Sequence, residues 1–550
     1  MNIKIGYRGN IKVILFSVIL TSCAQPNVDK ALDKITDQGL RNHIIRISDD
    51  ITAGRAPGSE GSIIAQRYIA DQMKQTGLKP GSEDSGFYQR IDMVKIVVEP
   101  TMKLNFVCNN DIIEPVYYTD YIIFPGTQKE HISIEEAGLL FVGYGIQAPE
   151  YSWDDFKGVD VSGKFLLIMN NDPDTGDVDF FSGQGRTYYG RWSYKYEQAA
   201  RMGALGAIII HTTPSAGYPW QVVQTSWSGP QFELMQQEES NLACKAWVTD
   251  TIASQIAEMA GYKLSDLLNM AQKPDFKPVS LNITVNCNIN SKIEQITGAN
   301  IAGLLPGSDP ELCNQAIVVT AHHDHLGIGK VINGDSIYNG AVDNASGVAS
   351  ILTLAEAFSS LKKAPRRTLV FVAVDGEESG LLGSEYFAQH PTFPAEMIAA
   401  NVNIDFVNIW GKTQDVVIIG YGKSTLDEIV RKYAEKQGRI VVPDATPELG
   451  MFYRSDQYSF AKIGVPGLYI STGLGFIGKP AGWGKETTDN WIRTHYHQPS
   501  DEYDPNWDLS GHIEDMELLF HVILDLANRD DMPEWLPGDE FEKIRQGLGN

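Results

Sequence analysis

A short stretch near the middle of the chain carries two kinds of side chain that hold metal ions. Residues 320–327 are Thr-Ala-His-His-Asp-His-Leu-Gly, and the apolar, β-branched run before them is typical of a buried strand. A His-x-Asp pair at the end of such a strand places His322 and Asp324 at the carboxyl edge of a sheet. Open α/β sheets hold their functional sites at this edge. An isolated histidine is more often a packing residue, so the argument depends on the rest of the chain.

Four later segments add potential metal ligands, most of them at or just after a predicted strand or just before a predicted helix. The full set contains two histidines, three carboxylates and one spare glutamate: His322, Asp343, Glu377, Glu378, Asp405 and His497. Imidazole and carboxylate together suit Zn²⁺, or Mn²⁺ and Co²⁺ under some conditions. A bridging carboxylate lets five residues give each of two ions three ligands, and a bound hydroxide would complete a two-metal hydrolytic site.

Each of these residues also has an ordinary structural interpretation. Glu377 and Glu378 could be a solvated acidic pair, Asp343 a helix cap and Asp405 a turn residue. These structural roles would all have to coincide by chance with the positions of a metal site, and this combination favours the metal site. The remaining nearby histidines match no ligand position and are interpreted as pocket-wall residues, with His325 left open between function and packing: His323, His325 and His495.

These segments, in this order, resemble the co-catalytic zinc peptidases, which include bacterial leucyl aminopeptidases, yeast aminopeptidase Y and glutamate carboxypeptidase II. The motifs are His322-x-Asp324, the glycine-flanked Asp343, Glu377-Glu378 followed by Leu-Leu-Gly-Ser at 381–384, Asp405, and Tyr496-His497. The resemblance implies two Zn²⁺ per chain in a zinc exopeptidase fold. It assigns His322 and Asp405 to one ion, Glu378 and His497 to the other, and Asp343 to both.

The resemblance also assigns the residues that act without binding metal. Glu377 would be the general base for a water activated by the two zinc ions, and Asp324 would orient His322 through a hydrogen bond. The side chains of two adjacent glutamates in an extended chain cannot readily reach the same point. It is therefore physically reasonable that one of them is a metal ligand and the other is the general base. The family also implies a cis peptide bond between Asp343 and Asn344.

The organisation of the chain predicts an α/β fold with a mixed, mostly parallel sheet flanked by helices. Strands are predicted at 316–320, 368–374, 400–404 and 416–420, and helices at 31–47, 347–360 and 426–437. The peptidase domain would comprise residues 24–92 and 293–550, interrupted by an insert at 93–292. Residues from about 130 to 290 resemble a protease-associated domain, with an unrelated α/β insert as the alternative. We expect the insert to cover the active-site cleft and to supply no metal ligand.

The loop at 448–456 predicts which end of a peptide substrate is recognised. It contains Tyr453, Arg454 and Asp456 as candidate substrate-binding residues, unless Arg454 and Asp456 neutralise each other. No second arginine accompanies Arg454 in this loop, whereas carboxypeptidases hold the terminal carboxylate with arginines. This favours an aminopeptidase for peptides with apolar or uncharged first residues. The alternatives are a carboxypeptidase of the glutamate carboxypeptidase type, a cyclising transferase like glutaminyl cyclase, and a non-catalytic receptor-like homologue.

Composition and the N-terminus predict the partners and the location. The formal charge of −24 argues against nucleic acid as a partner. The resemblance to the zinc peptidases implies peptide substrates as the partners, and the oligomeric state is left open. Basic residues, an apolar run at 13–20 and small residues before Cys23 resemble a lipoprotein signal over residues 1–23 with lipidation at Cys23. The expectation is an exported protein that is lipid-anchored to a bacterial membrane and faces the periplasm or the exterior, with membrane contact only through the anchor. An ordinary secretory signal is the alternative.

The other four cysteines show no metal-binding spacing. Cys108, Cys244, Cys287 and Cys313 lack a CxxC pattern, which disfavours a cysteine-zinc site. We expect free thiols, with one disulfide of undetermined pairing as the alternative.

Overall fold

The computed structural model describes residues 28–82, 86–99, 102–174, 177, 180–181, 183, 185–236 and 242–548. The predicted signal, with Cys23, lies outside these residues. The N-terminal part contains α1 (Val28–Leu32), α2 (Asp37–Ile47), α3 (Glu60–Gln75), β1 (Lys79–Pro80) and β2 (Tyr88–Val98). The single helix predicted over 31–47 is thus divided. The division falls before Thr36, whose side chain accepts a hydrogen bond from the Gly39 N–H and so begins α2 as a cap.

The inserted part of the chain contains both strands and helices. Its elements are β3 (Lys103–Cys108), β4 (Asp111–Ile113), β5 (Tyr121–Pro125), β6 (His131–Phe141), β7 (Gln147–Ala148), β8 (Trp153–Asp154), β9 (Phe165–Met169), α4 (Trp192–Arg201), β10 (Gly206–His211), α5 (Thr213–Ala216), α6 (Trp220–Trp227), β11 (Gln231–Leu234), β12 (Cys244–Thr249), α7 (Asp250–Met259), α8 (Leu264–Ala271) and β13 (Val279–Leu305). The insert has a sheet of its own, in the order β4-β3-β13-β6-β9-β10-β12-β5.

The C-terminal part completes the predicted peptidase domain, whose sheet is called the peptidase sheet below. Its elements are β14 (Ala316–His322), β15 (Gly327–Ile332), β16 (Asp335–Tyr338), α9 (Ser346–Ser359), β17 (Thr368–Val374), α10 (Leu382–Gln389), β18 (Ile398–Asn403), β19 (Asp415–Ile419), α11 (Leu426–Lys436), β20 (Ile440–Pro443), α12 (Gln457–Lys462), β21 (Gly467–Thr472), α13 (Trp483–Thr494), α14 (Ser510–Asn528) and α15 (Glu542–Gly547). The four predicted strands and two predicted helices are present, with ends within about two residues of the prediction.

The peptidase sheet runs in the order β11-β2-β13-β17-β14-β18-β21-β19-β20. Its four central strands, β17, β14, β18 and β21, are parallel, and antiparallel strands flank them. Every residue of β14 and β17 is buried, as expected for strands covered on both faces. The predicted fold class, a mixed α/β sheet flanked by helices with an inserted α/β unit, is confirmed.

Alternate residues of the central strands enter two different cores. Ile317 and Val319 pack with α9 on one face, whereas Val318 packs with Phe387 and Phe460 on the other. Burying a side chain of this size contributes about 1.5–3 kcal/mol. Because each central strand packs into both cores, the packing fixes where along the sheet the strand ends. It thereby fixes the positions of the residues that follow the strand.

One long strand connects the two sheets. The first half of β13 pairs with β3 and β6 in the insert sheet, and from Ser291 onward it pairs with β2 in the peptidase sheet. The insert has separate hydrophobic clusters. The four cysteines of the described residues are free thiols, three of them in the insert, and the sulfurs of Cys244 and Cys287 lie 3.8 Å apart in the insert core. Across the described residues, no helix is both long and apolar enough to cross a membrane.

Candidate metal centre

The first histidine of the site is the last residue of β14. His322 is 1% exposed, and its Nε2 lies 3.2 Å from Oδ1 of Asp343 and 3.5 Å from Oδ1 of Asp405. Asp405 follows the neighbouring strand β18, and Asp343 precedes α9. Parallel strands that end at one edge therefore bring one imidazole and two carboxylates together.

The second histidine faces the other oxygen of the same aspartate. His497 Nε2 lies 3.4 Å from Oδ2 of Asp343 and 3.0 Å from Oε2 of Glu378. Asp343 thus presents one oxygen to each histidine. The structure brings together all five predicted ligands, as two clusters that share Asp343.

The donor geometry fits tetrahedral zinc. Ligand bonds of about 2.0–2.1 Å to one ion place the ligand atoms about 3.3 Å from each other. The four nitrogen–oxygen distances are 3.2, 3.5, 3.4 and 3.0 Å. His497 Nε2 is buried and forms no hydrogen bond with any described residue, despite these short distances. Donor atoms that are close but do not point at each other are expected where both point at a common ion.

The charges of the site also favour a cation. Burial opposes the charged form of His322, but Glu377 and the aspartates around it outweigh this effect and raise its pKa well above the ordinary value. The pKa of His497 is raised to about 10, because Glu378 and Asp343 outweigh the cost of burial. Three carboxylates face two imidazoles here, so with neutral imidazoles the cluster carries a surplus of negative charge that a divalent cation would neutralise.

A second aspartate holds the backbone of Asp343 in place. The carboxylate of Asp501 accepts hydrogen bonds from the N–H groups of Val342, at 2.9 Å, and Asp343, at 3.0 Å. Asp501 is 1% exposed. It lies four residues after His497, so one loop supplies both a predicted ligand and this support. The Asp343–Asn344 peptide bond is cis, as predicted.

Asp324 supports the two glutamates more directly than it supports His322. Its carboxylate accepts hydrogen bonds from the N–H of Glu377, at 3.0 Å, and of Glu378, at 3.3 Å. His322 Nδ1 lies 3.3 Å from the Asp324 carbonyl oxygen and 3.7 Å from its Oδ1. The expected hydrogen bond to His322 is therefore made by the backbone, whereas the side chain positions the glutamate pair.

The flanking histidines differ in their contacts. His325 Nδ1 lies 2.6 Å from Oε1 of Glu378, so this histidine fixes the orientation of a predicted ligand. His323 Nε2 lies 3.0 Å from the Ala299 carbonyl oxygen. His495 stacks on Trp491. Of these three histidines, only His325 contacts a predicted ligand.

Arg55 connects the loops of the site, and no motif in its own segment of the sequence indicates this role. Its guanidinium is fully buried and donates hydrogen bonds to four carbonyl oxygens: Ile47 at 3.1 Å, His323 at 2.7 Å, Asn339 at 2.5 Å and Gly340 at 2.9 Å. Burial lowers the pKa of Arg55 to about 10, although Asp324, Asp501 and other carboxylates attract the charge. The loops that carry His322 and Asp343 are thus joined through one side chain.

Replacing Arg55 by glutamine should lower the free energy of unfolding by about 3 kcal/mol or more, because buried carbonyls lose a charged donor. Urea unfolding of the metal-loaded protein at a fixed zinc concentration measures this change. Arg67→Gln, on the exposed side of α3, is the matched control and should change the free energy by no more than about 0.5 kcal/mol. Equal effects of the two substitutions would contradict the role of Arg55.

The predicted substrate loop has a different arrangement from the one expected. Tyr453 is buried with Phe452, and its hydroxyl donates to Glu540 at 2.6 Å, so its side chain already has a partner within the fold. Arg454 and Asp456 do not pair. Arg454 donates to the Ala216 carbonyl oxygen of the insert, at 3.2 Å, and both carboxylate oxygens of Asp456 are buried without a hydrogen-bond partner among the described residues.

The insert contacts this loop without entering the ligand cluster. The Arg186 N–H donates to the Pro447 carbonyl oxygen at 3.1 Å, and Tyr188 lies 6.1 Å, ring to ring, from Tyr458. The His322, Asp343 and Glu378 group that could hold a metal ion includes no residue of the described part of the insert. The similarity of the insert to a protease-associated domain and its role as a cover remain predictions.

A cluster of imidazoles and carboxylates at the carboxyl edge of a mixed α/β sheet defines the class of metal-dependent hydrolases. Residues 300–521 match the model of peptidase family M28, and this part of the chain belongs to that family. The predicted resemblance to the co-catalytic zinc peptidases is confirmed.

Curated relatives match parts of the chain. A probable zinc metalloprotease of Pyrenophora teres f. teres is 29% identical over 165 residues, which are 30% of this chain and 30% of the relative. A vacuolar membrane protease of Clavispora lusitaniae is 28% identical over 203 residues, 36% of this chain and 18% of the relative. The chain therefore spans less than a third of the length of these relatives.

Solved structures of two bacterial proteins align with most of the chain at low identity. The aminopeptidase of Aneurinibacillus sp. strain AM-1 is 18% identical, covers 92% of this chain and 97% of its own, and has a TM-score of 0.49. A peptidase M28 precursor of Shewanella amazonensis is 17% identical, covers 92% and 97%, and has a TM-score of 0.44.

The predicted location is wrong. We expected a lipoprotein that is anchored to a bacterial membrane, but the two curated relatives described above are a fungal zinc metalloprotease and a fungal vacuolar membrane protease, and neither is named a bacterial lipoprotein. A basic start, a short apolar run and one cysteine form a pattern of low specificity. Such a pattern cannot distinguish a bacterial lipid anchor from other N-terminal segments.

Proposed function

We propose that the chain is a zinc-dependent aminopeptidase that removes single residues from the N-termini of peptides. The observation that supports this best is the pair of ligand clusters joined by Asp343. His322 and Asp405 would hold one zinc ion, Glu378 and His497 the other, and Asp343 both. When bound, the ions supply a Lewis acid for the scissile carbonyl and lower the pKa of a water molecule.

Glu377 is the proposed general base and acid. Its carboxylate takes a proton from the attacking water and gives it to the leaving amine. Burial, together with the charges of Asp405, Asp456 and Glu378, raises the pKa of Glu377 well above its ordinary value, although His322 opposes this. A carboxyl group with a raised pKa can hold the proton between the two transfers.

Asp456 supports the proposal that the N-terminus of the peptide substrate, and not its C-terminus, is recognised. An aminopeptidase receives an ammonium group beside the metal ions, so a carboxylate that is not a ligand helps to bind it. Asp456 is fully buried next to Ser455, whose hydroxyl donates to Oδ2 of Asp405 at 2.7 Å. Burial raises the pKa of Asp456 to about 7, although the charge of His322 opposes this, so an ammonium group beside the ligand cluster would stabilise the charged carboxylate that attracts it.

The proposal is tested with a peptide acetylated at its N-terminus and the same peptide amidated at its C-terminus. The purified protein should cleave the amidated peptide and leave the acetylated one intact. A chelator such as 1,10-phenanthroline should abolish cleavage, and added zinc should restore it. Cleavage of only the acetylated peptide would select the carboxypeptidase, whereas a metal-loaded protein that cleaves neither would be a receptor-like homologue.

A further inference from the structure

A short segment near the end of the chain, residues 534–541, packs against the loop at 448–456. We call these two parts the C-terminal segment and the substrate loop. The backbone of the C-terminal segment is attached to a neighbouring turn, where the Thr425 N–H donates to the Glu534 carbonyl oxygen at 2.9 Å. The side chain of Trp535 is buried in a cluster with aromatic residues of the substrate loop. The segment is therefore held in place by its backbone and its apolar side chains.

The acidic side chain of Glu540 connects the C-terminal segment to the substrate loop. Oε1 of Glu540 accepts hydrogen bonds from the Tyr453 hydroxyl at 2.6 Å and from Lys423 Nζ at 3.0 Å. The side chain of Glu540 is 10% exposed. Lys423 also pairs with Asp539 at 2.8 Å, so Lys423 keeps an ionic partner in the segment even without Glu540.

The charges at this connection strengthen it. Burial opposes the charged form of Lys423, but Glu540 and Asp539 outweigh this effect and raise its pKa above the ordinary value. Burial, and then the charge of Glu540, raise the pKa of Tyr453 well above its ordinary value, so the hydroxyl keeps its proton and remains a donor. A hydrogen bond to an ionised carboxylate is about twice as strong as one between neutral groups.

The other side of the substrate loop is held by the end of a central strand. Asn403, the last residue of β18, donates to Ser455 Oγ at 2.8 Å and to Gln457 Oε1 at 2.9 Å. Asp456 lies between these two acceptors. The loop around Asp456 is thus attached at two places, to the sheet through Asn403 and to the C-terminal segment through Glu540.

We propose that Glu540 is a positioning residue, which holds the substrate loop through Tyr453 and so places Asp456 where it binds the ammonium group of the substrate. The inference rests on the proposed function, because it takes Asp456 as the group that binds the substrate N-terminus. The described hydrogen bonds of Glu540 reach neither a predicted metal ligand nor Glu377. Loss of Glu540 should therefore weaken substrate binding and leave the chemical step intact.

The first test is the kinetics of Glu540→Ala with the amidated peptide. KM should rise about 10-fold, the lower end of the effect of one charged hydrogen bond, while kcat and zinc content stay unchanged. Glu540→Gln should recover part of the loss, because its amide oxygen still accepts a hydrogen bond from Tyr453. Glu534→Ala, an exposed position of the same segment, is the matched control and should change none of these quantities. A fall in kcat as large as the rise in KM would overturn the proposal.

A double-mutant cycle tests whether Glu540 acts through Tyr453. Tyr453→Phe removes the hydroxyl and keeps the ring, and it should raise KM about as much as Glu540→Ala. The double variant should be no worse than either single variant, because both substitutions remove the same hydrogen bond. Effects on the free energy of binding that add in the double variant would show that Glu540 does not act through Tyr453, and would overturn the proposal.

Binding of two alcohols separates a role at the ammonium site from a general loss of structure. Leucinol has the amine of an N-terminal leucine, isohexanol is the same molecule without it, and neither has a bond that a peptidase cleaves. In calorimetry with the metal-loaded protein, Glu540→Ala should weaken leucinol binding roughly 10-fold and leave isohexanol binding unchanged. Equal weakening of both alcohols would assign Glu540 a structural role only.

Failure of the proposed function is distinguishable from failure of this inference. If the protein cleaves acetylated peptides instead of amidated ones, it is a carboxypeptidase, and the same rise in KM is expected with the acetylated peptide. If it cleaves neither, amide hydrogen exchange measured by mass spectrometry decides. Glu540→Ala should speed exchange in the substrate loop and leave that of α14 unchanged. Unchanged exchange in the loop would overturn the positioning role.

Discussion

Replacing Glu377 by glutamine should lower kcat by about 10²- to 10⁴-fold, the contribution of a general acid–base group, while the zinc content stays at that of the unmodified protein. Glutamine keeps the shape of the side chain but cannot take a proton from the attacking water. Glu377 is not among the donors that face His322 Nε2 or His497 Nε2, so its removal leaves both clusters intact. Steady-state kinetics with the amidated peptide and elemental analysis of the purified variant measure the two quantities.

Glu385→Gln is the matched control for this substitution. Glu385 lies on α10, a few residues after Glu377, and pairs with Lys462 at 3.5 Å. Neither kcat nor zinc content should change. A Glu377 variant that loses metal, beside a Glu378 variant that keeps it, would reverse the roles of the two glutamates.

The parts of the site that follow central strands could be predicted from the sequence. His322 and Asp405 come directly after apolar, β-branched runs, and such runs form parallel strands whose ends share one edge. A local pattern therefore fixed the relative positions of residues that are far apart in the chain. Asp343 could be placed in the same way, because it directly precedes a well-marked helix.

The supporting side chains could not be predicted, because their partners are distant and their own segments carry no pattern. Arg55 lies in a glycine-rich loop, and its acceptors include His323 and Gly340, which belong to other parts of the fold. Arg186 belongs to the insert, and its N–H reaches the Pro447 carbonyl oxygen only through the contact between the two parts. Backbone carbonyl groups accept most of these hydrogen bonds. Because every residue has such a group, the sequence does not show which of them are used as acceptors.

The junction between the insert and the rest of the chain is another feature that could not be predicted from the sequence. The sequence placed the insert at 93–292, with a boundary inside each strand that leads to or from it. The structure continues β2 in the peptidase sheet as far as Val98, and β13 passes from one sheet to the other without a break. Strand propensity cannot reveal such a transfer, because a residue has the same preference for extended structure in either sheet.

Replacing Asp343 by alanine should remove both zinc ions and all activity, whereas loss of an outer ligand should remove only one ion. Its two oxygens lie 3.2 Å from His322 Nε2 and 3.4 Å from His497 Nε2, so each cluster loses a donor at once. The hydrogen bond from its N–H to Asp501 is kept in the variant, so the backbone remains supported.

Elemental analysis of three purified variants decides whether Asp343 is shared. We expect almost no zinc in Asp343→Ala, about one ion per chain in His497→Ala, and two in Asp489→Asn, an exposed aspartate on α13 that pairs with Lys485. A shared ligand must affect both ions, because each site would retain only two protein donors. If Asp343→Ala keeps one ion per chain, its carboxylate serves a single ion, and the two clusters are independent sites.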